Sequence, residues 1–190
     1  AGIGYISGVK CMIMIDDSGI KAGAASEATI DKALGCLDIA LKQKLPCVHL
    51  VESAGVDLPN YSVKLWSKFG SVFYKKAKLS AAGIPVIAIL HGFSTAGGAY
   101  QIGMSDYVSG VKGNGMAALA GSALLKAATG ENATNSDIGG VEMHSVVTGS
   151  VEYLVNDDAE SIVTVRQLID QLNWNENDTQ KTISNFEEPK

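Results

Sequence analysis

The sequence predicts an α/β domain made of repeated strand–turn–helix units, and three observations predict it. Short unbroken apolar runs such as Cys47–Val51 and Pro85–Leu90 have the look of strands buried on both faces. Between them lie longer stretches with apolar residues at helical spacing, as in Glu27–Lys44. Two of the strand runs then end in small-residue turns, ESAGV at 52–56 and STAGGAY at 94–100. Parallel strands in an α/β layer bring such turns to one edge of the sheet.

The elements follow in order. Residues 3–15 predict two strands joined at Ser7-Gly8, the second buried, and 16–25 a loop of glycine and small residues. Helical spacing over 27–44 puts Ile30, Ala33, Leu34, Leu37, Ala40 and Leu41 on one face, and Pro46 ends it. The strand at 47–51 leads through the turn 52–60 into a long amphipathic helix, with Val63, Trp66, Phe69, Phe73 and Ala77 on its apolar face as core or interface. Gly83-Ile84-Pro85 closes that helix and opens the central strand, which turns on Gly97-Gly98 into a helix near Ala99-Tyr100. Beyond it the expected elements are a strand at 107–111, a turn at 113–115, a short helix over 121–131 and a turn at 137–140. A strand near 143–147 follows, then a last helix capped by Asn156, with Asp157 and Asp158 in its first turn and Ile162, Val165, Ile169 and Leu172 inward. From Asn173 the chain becomes polar and aperiodic, which sets the expected domain at 1–173 and a linker or tail at 174–190.

Composition narrows the function. With 46% hydrophobic and 18% charged residues, the 190-residue chain is globular and long enough for a real core. A net charge of −5 argues against a nucleic-acid partner. Arg166 is the only arginine, so bidentate phosphate clamps are nearly excluded. Cys11, Cys36 and Cys47 lack metal or disulfide spacing and read as buried free thiols in a reducing compartment. No apolar run is long enough for a membrane segment and no signal-peptide pattern opens the chain. Ala1 begins abruptly inside strand-like sequence, as a partial chain would.

A strand that turns sharply on glycine into a helix leaves backbone N–H groups unpaired, a place for a phosphate, a carboxylate or a developing oxyanion. Two such turns side by side can aim donors at one oxygen, which makes an oxyanion hole from backbone alone.

Four segments in order, LPCVHLVESAGVDLP, GFSTAGGAY, LAGSALLKAATGE and DIGGVEMH, resemble the carboxyltransferase (β) subunit of biotin-dependent acyl-CoA carboxylases. The likeness is to its N-terminal half, covers residues 1 to about 173, and is strongest to the methylcrotonyl-CoA carboxylase type. It implies a crotonase-like spiral of ββα units and transfer of CO₂ from carboxybiotin to an acyl-CoA, with the biotin ureido nitrogen taking the proton. It also implies that the thioester oxyanion rests on amides at Gly97 or Gly98 and at Gly55 or Val56, with Ala54 and Ala96 beside them. Gly23, Ala24 and Ala25 would border the CoA entrance. Implied partners are a biotin carboxyl carrier protein, a biotin carboxylase subunit, a C-terminal carboxyltransferase half that supplies the biotin side, and further copies in a homo-oligomer. No metal is implied, and the location would be the cytoplasm or the mitochondrial matrix.

The chain departs from that pattern at Ala54 and Val56, where the family has glycine and often alanine, at Gly35 in place of arginine, and at Ser122 in place of proline. A valine at 56 would narrow the pocket or turn a donor. Two rivals stand beside this reading: a biotin-dependent decarboxylase relative running the reverse reaction, which this half of the sequence does not separate from a carboxylase, and, motivated by Val56 and Gly35, a silent structural partner in a carboxylase assembly. Blander readings stand beside the sharp ones. Gly97-Gly98 also suits close helix–sheet packing. Ser94 with His91 or His144 and Asp106 suggests a hydrolase triad, but GFSTA breaks the G-x-S-x-G elbow, so Ser94 reads as a turn residue. His49 and His144 read as structural, and Lys112 and Lys126 as solvated surface lysines.

Overall fold

The computed structural model describes residues 1–60 and 62–174; nearly all of the expected tail lies outside the described residues. β1 (Gly2–Ile6) and β2 (Val9–Ile15) form an antiparallel hairpin, and β3 (Cys47–Ser53) pairs parallel with β2. β4 (Val86–Thr95) lies beside β3 and is used twice. Its first half, Ile87–Leu90, pairs with β5 (Tyr107–Val111), and its end, Phe93–Thr95, pairs with β6 (Met116–Ala118). β7 (Tyr153–Val155) closes the order β1-β2-β3-β4-β5-β7. This hand-over of β4 from one neighbour to the next is the step expected of a spiral of ββα units.

Two helices cover one face of the sheet. α1 (Glu27–Gln43) starts on a capping box in which Ser26 and Thr29 satisfy each other's backbone N–H groups. α2 (Val63–Ala81) packs along α1, with Ser62 as its N-cap. Ile30, Leu37, Leu65, Phe69, Val72 and Leu79 fill the space between these helices and the sheet. α3 (Gly97–Gly103) follows β4 directly, and α4 (Ser122–Thr129) and α5 (Asn135–Gly139) follow β6. α7 (Asp158–Gln171) covers the other face, where Val165, Leu168 and Ile169 meet Val48, Ile87 and Ile89. Trp174 docks back on the domain, its indole N–H donating to Lys44 O at 3.0 Å.

Several expectations change. The run at 143–147 is not a strand: α6 (Val141–Met143) passes into a wider helical turn, His144–Thr148, with Val146 and Val147 exposed. Thr148 Oγ1 donates to His144 O there, so local bonding overrides β-branched propensity. The turn expected at 137–140 is largely the end of α5. The last helix is capped by Asp157, which accepts from Glu160 N at 2.8 Å, and Ile162 faces outward while Ser161 is buried on Ser109. In α2 the buried face is Leu65, Phe69, Val72, Lys76 and Leu79, so Val63 and Trp66 turn outward. A lysine in the buried row had disguised that face.

Lys76 is fully buried, and its ammonium donates to Gln101 O at 3.0 Å. Burial pushes its pKa down to about 8. A lysine with a lowered folded pKa binds fewer protons folded than unfolded between pH 8 and its ordinary 10.5, so its charge penalty is full below pH 8 and stability rises through that window. Buried Cys11 and Cys47, pushed up by burial to about 11 and 12, act oppositely above the ordinary thiol value of 9. We expect Lys76→Met to raise stability at pH 7 by on the order of 3 kcal/mol at most. The wild-type deficit should shrink between pH 8 and 10.5, because the thiol contribution cancels in the comparison. Urea unfolding of both proteins across that range measures it; a deficit independent of pH would refute the assignment.

Candidate active site

The end of β3 and the end of β4 lie side by side in parallel register, with Ser53 opposite Ser94. Their two turns therefore leave the sheet at the same edge. Gly55, with φ +86°, lies so close to the β4 turn that an added Cβ would sit 3.2 Å from Thr95 O and 3.3 Å from Gly97 N. The structure thus brings Gly55, Ala96 and Gly97 together.

Ser53 fastens a third segment to this pair. Its hydroxyl donates to Gly23 O at 2.9 Å and accepts from Gly55 N at 3.1 Å. Ala25 forms a parallel bridge with Val56, in which Ala25 N donates to Gly55 O and Asp57 N donates to Ala25 O. Ala54 N donates to Ala22 O. Gly23 is held so close to β3 that an added Cβ would fall 2.1 Å from Glu52 O. Buried Asp57 accepts from Asn60 and meets Lys21 at 3.4 Å; the Asn60 hydrogen bond first, then Lys21, hold its carboxyl below the usual range.

This bonding sorts the expected donors. Gly55 N–H is used by Ser53, whereas the pairing with Ala25 occupies the groups flanking Val56, so Val56 N–H faces away from Ala25. Gly97 and Gly98 are the first two residues of α3, where N–H groups have no intrahelical acceptor. α3 has only seven residues, so these are individual donors rather than the pole of a strong dipole. Ala96, which leads into them, has φ 50° and ψ −121°, a conformation few non-glycine residues adopt and one that costs about 1–3 kcal/mol.

A cavity of about 460 Å³ reaches the site, bordered by Gly23, Ala24 and Ala25 on one side and Gly98 with Ser53 on another. Ala54 is exposed and lies outside its lining, as does Ala96. Val56 does not narrow this space: its side chain is packed into the core under α1 and α2. Gly35 faces solvent with open room beside it. Ser94 Oγ is buried with no hydrogen-bond partner among the described residues, which removes the hydrolase triad. His144 is structural, bridging Ala117 O at 2.7 Å and Thr148 at 3.0 Å. His49 Nε2 lies 3.2 Å from Asp16, and burial pushes its pKa down.

Residues 1–190 match the carboxyl transferase domain along their whole length. The chain belongs to that family. It is 42% identical over 173 residues to a probable biotin-dependent acyl-coenzyme A carboxylase beta2 subunit of Mycobacterium tuberculosis, which covers 91% of this chain and 32% of that protein. It is 40% identical over 190 residues to the mitochondrial methylcrotonoyl-CoA carboxylase beta chain of Dictyostelium discoideum, covering 99% of this chain and 32% of the relative. Among solved structures, the beta subunit of Pseudomonas aeruginosa geranyl-CoA carboxylase superposes with a TM-score of 0.85 at 42% identity, over 92% of this chain and 33% of that one. This carboxyl transferase domain chain thus spans about a third of the length of the relatives it matches.

Both helix-start glycines are also packing residues. A Cβ at Gly97 would meet the Phe69 ring at 2.2 Å, and one at Gly98 would meet Ser53 O at 2.6 Å. Gly97→Ala and Gly98→Ala should each cost about 1–3 kcal/mol from overpacking. Phe69→Leu should recover part of the Gly97→Ala loss and none of the Gly98→Ala loss, because a ring can be trimmed and a backbone carbonyl cannot. Thermal unfolding of the single and double variants tests this; equal rescue of both would contradict the packing.

Proposed function

We propose that this chain binds acyl-CoA and stabilises its thioester enolate in a biotin-dependent acyl-CoA carboxylase. The observation that carries the reading is the convergence of the 53–56 turn on the 96–98 turn; Val56, Gly97 and Gly98 are the proposed donors. Two backbone donors from different strands, aimed at one oxygen, suit a carbonyl that gains negative charge. No titratable side chain occurs in Ser53–Val56 or Ser94–Gly98. That fits a site which is asked for hydrogen bonds and not for a base.

Carboxybiotin, brought by a carrier protein, would supply the CO₂ and accept the substrate proton at its ureido nitrogen. This chain's share is then to hold the thioester oxygen, keep the α-carbon exposed beside it, and border the CoA entrance with Gly23, Ala24 and Ala25. The biotin side would come from a C-terminal half and the carboxybiotin from a biotin carboxylase subunit, within a homo-oligomer. With the Val56 side chain in the core, the departure that motivated a silent structural partner leaves its backbone donor free to act.

Val56→Pro deletes the proposed donor and spares Gly55 O and Asp57 N, the groups that pair with Ala25. In the complete enzyme kcat should fall roughly 10²–10³-fold, the usual loss for one oxyanion donor, with little change in acyl-CoA affinity. Val56→Ala, which keeps the N–H, should retain most of kcat. Undiminished turnover in the proline variant would remove Val56 from the oxyanion site.

A further inference from the structure

Lys76 stands on α2 in a row with Phe69 and Phe73, and each member of that row meets α3. The Phe69 ring lies so near Gly97 that an added Cβ there would meet it at 2.2 Å. Phe73 meets the Tyr100 ring at 5.2 Å between centroids. Fully buried Lys76 donates from Nζ to Gln101 O at 3.0 Å. The ring contacts are apolar and without direction, whereas a hydrogen bond fixes an angle. Gln101 O lies in the last turn of α3, where carbonyls have no intrahelical donor; Ser105 Oγ is its other partner at 2.8 Å. A helix of seven residues has little hold on its own position.

We infer that Lys76 is a positioning residue: through Gln101 O it holds α3, and with it the Gly97 and Gly98 N–H groups, against the 53–56 turn. The inference rests on the oxyanion reading above and adds the group that keeps two of its donors aimed. An ammonium makes this bond roughly twice as strong as a neutral donor would, at a desolvation cost that methionine avoids. The titratable groups facing Lys76 are Cys47 and His49 of β3, Asp16 after β2 and Asp106 before β5. Asp16 is engaged by His49 at 3.2 Å, and Asp106 accepts from Ser80 at 2.6 Å and from Val86 N at 2.8 Å. Burial holds Cys47 up at about 12 and His49 below 6.5, while it brings Lys76 down to about 8. The tether therefore weakens as pH rises through 8, even as the buried charge that destabilises the whole domain is lost.

Hydrogen–deuterium exchange of the full-length protein tests this, with α1 as internal reference for the ordinary pH dependence of exchange. In Lys76→Met the segment 97–103 should exchange about tenfold faster relative to α1, although global stability rises. In the wild type that ratio should climb as pH passes through 8, and in Lys76→Met it should stay level. Lys76→Gln, whose amide donates without a charge, should recover part of the protection and show no pH step. In the complete enzyme kcat of Lys76→Met at pH 7 should fall roughly tenfold, with KM for acyl-CoA little changed. Unchanged exchange over 97–103 in Lys76→Met, or a level ratio in the wild type, would overturn the tether and leave the oxyanion assignment to Val56→Pro. Faster exchange with undiminished kcat would overturn the positioning role.

Discussion

The structure depends on the parallel pairing of β3 with β4 and on how closely their turns approach. Ser53 stands opposite Ser94, and beyond them Gly55 lies against Thr95 O, Gly97 N and the Ala96 methyl while Gly98 lies against Ser53 O. Glycine at 55 and 98 is what lets the backbones meet, while glycine at 97 makes room for the Phe69 ring. Packing and chemistry are therefore one requirement here. The same backbones that close the sheet edge are those of the proposed oxyanion site.

That convergence is held in place from outside. Ser53 ties the Gly23 loop to the Gly55 turn, and the Ala25–Val56 bridge runs a short ladder along the same edge. These bonds also decide which amides remain available, by using Gly55 N–H and sparing Val56 N–H. The unusual backbone of Ala96 is kept by its surroundings: its N–H donates to Ala118 O and its carbonyl accepts from Ala99 N. Strain of this kind survives only where both neighbours are anchored, and β4–β6 pairing anchors one of them.

The face beneath α1 and α2 shows the opposite economy. Lys76 is buried on a single carbonyl, and His49 is buried with Nδ1 unpartnered among the described residues. Both carry a desolvation cost that an apolar residue would avoid. Lys76 does reach Gln101 O of α3, so α2 is bonded to the helix that begins at the two glycines. The cost is paired with a tie between scaffold and site.

Much of this was legible in the residues. The unbroken apolar runs gave β2, β3 and β4, Pro46 and Gly83 marked real boundaries, and the two small-residue turns pointed to one sheet edge. The motif order pointed to the family. Legibility failed where local pattern and tertiary demand disagree. Val146 and Val147 suggest a strand but sit in an exposed helical turn, and Lys76 hid the buried face of α2 because burial of a lysine needs a partner no sequence window contains. The sequence by itself determined the layers, the glycine turns and the absence of titratable groups in them, since these follow from periodicity and residue type. Only the tertiary structure decided which amides the Ala25 and Ser53 bonds use, that Val56 points inward, and that a cavity borders Gly98. Each of those depends on contacts between residues far apart in the chain.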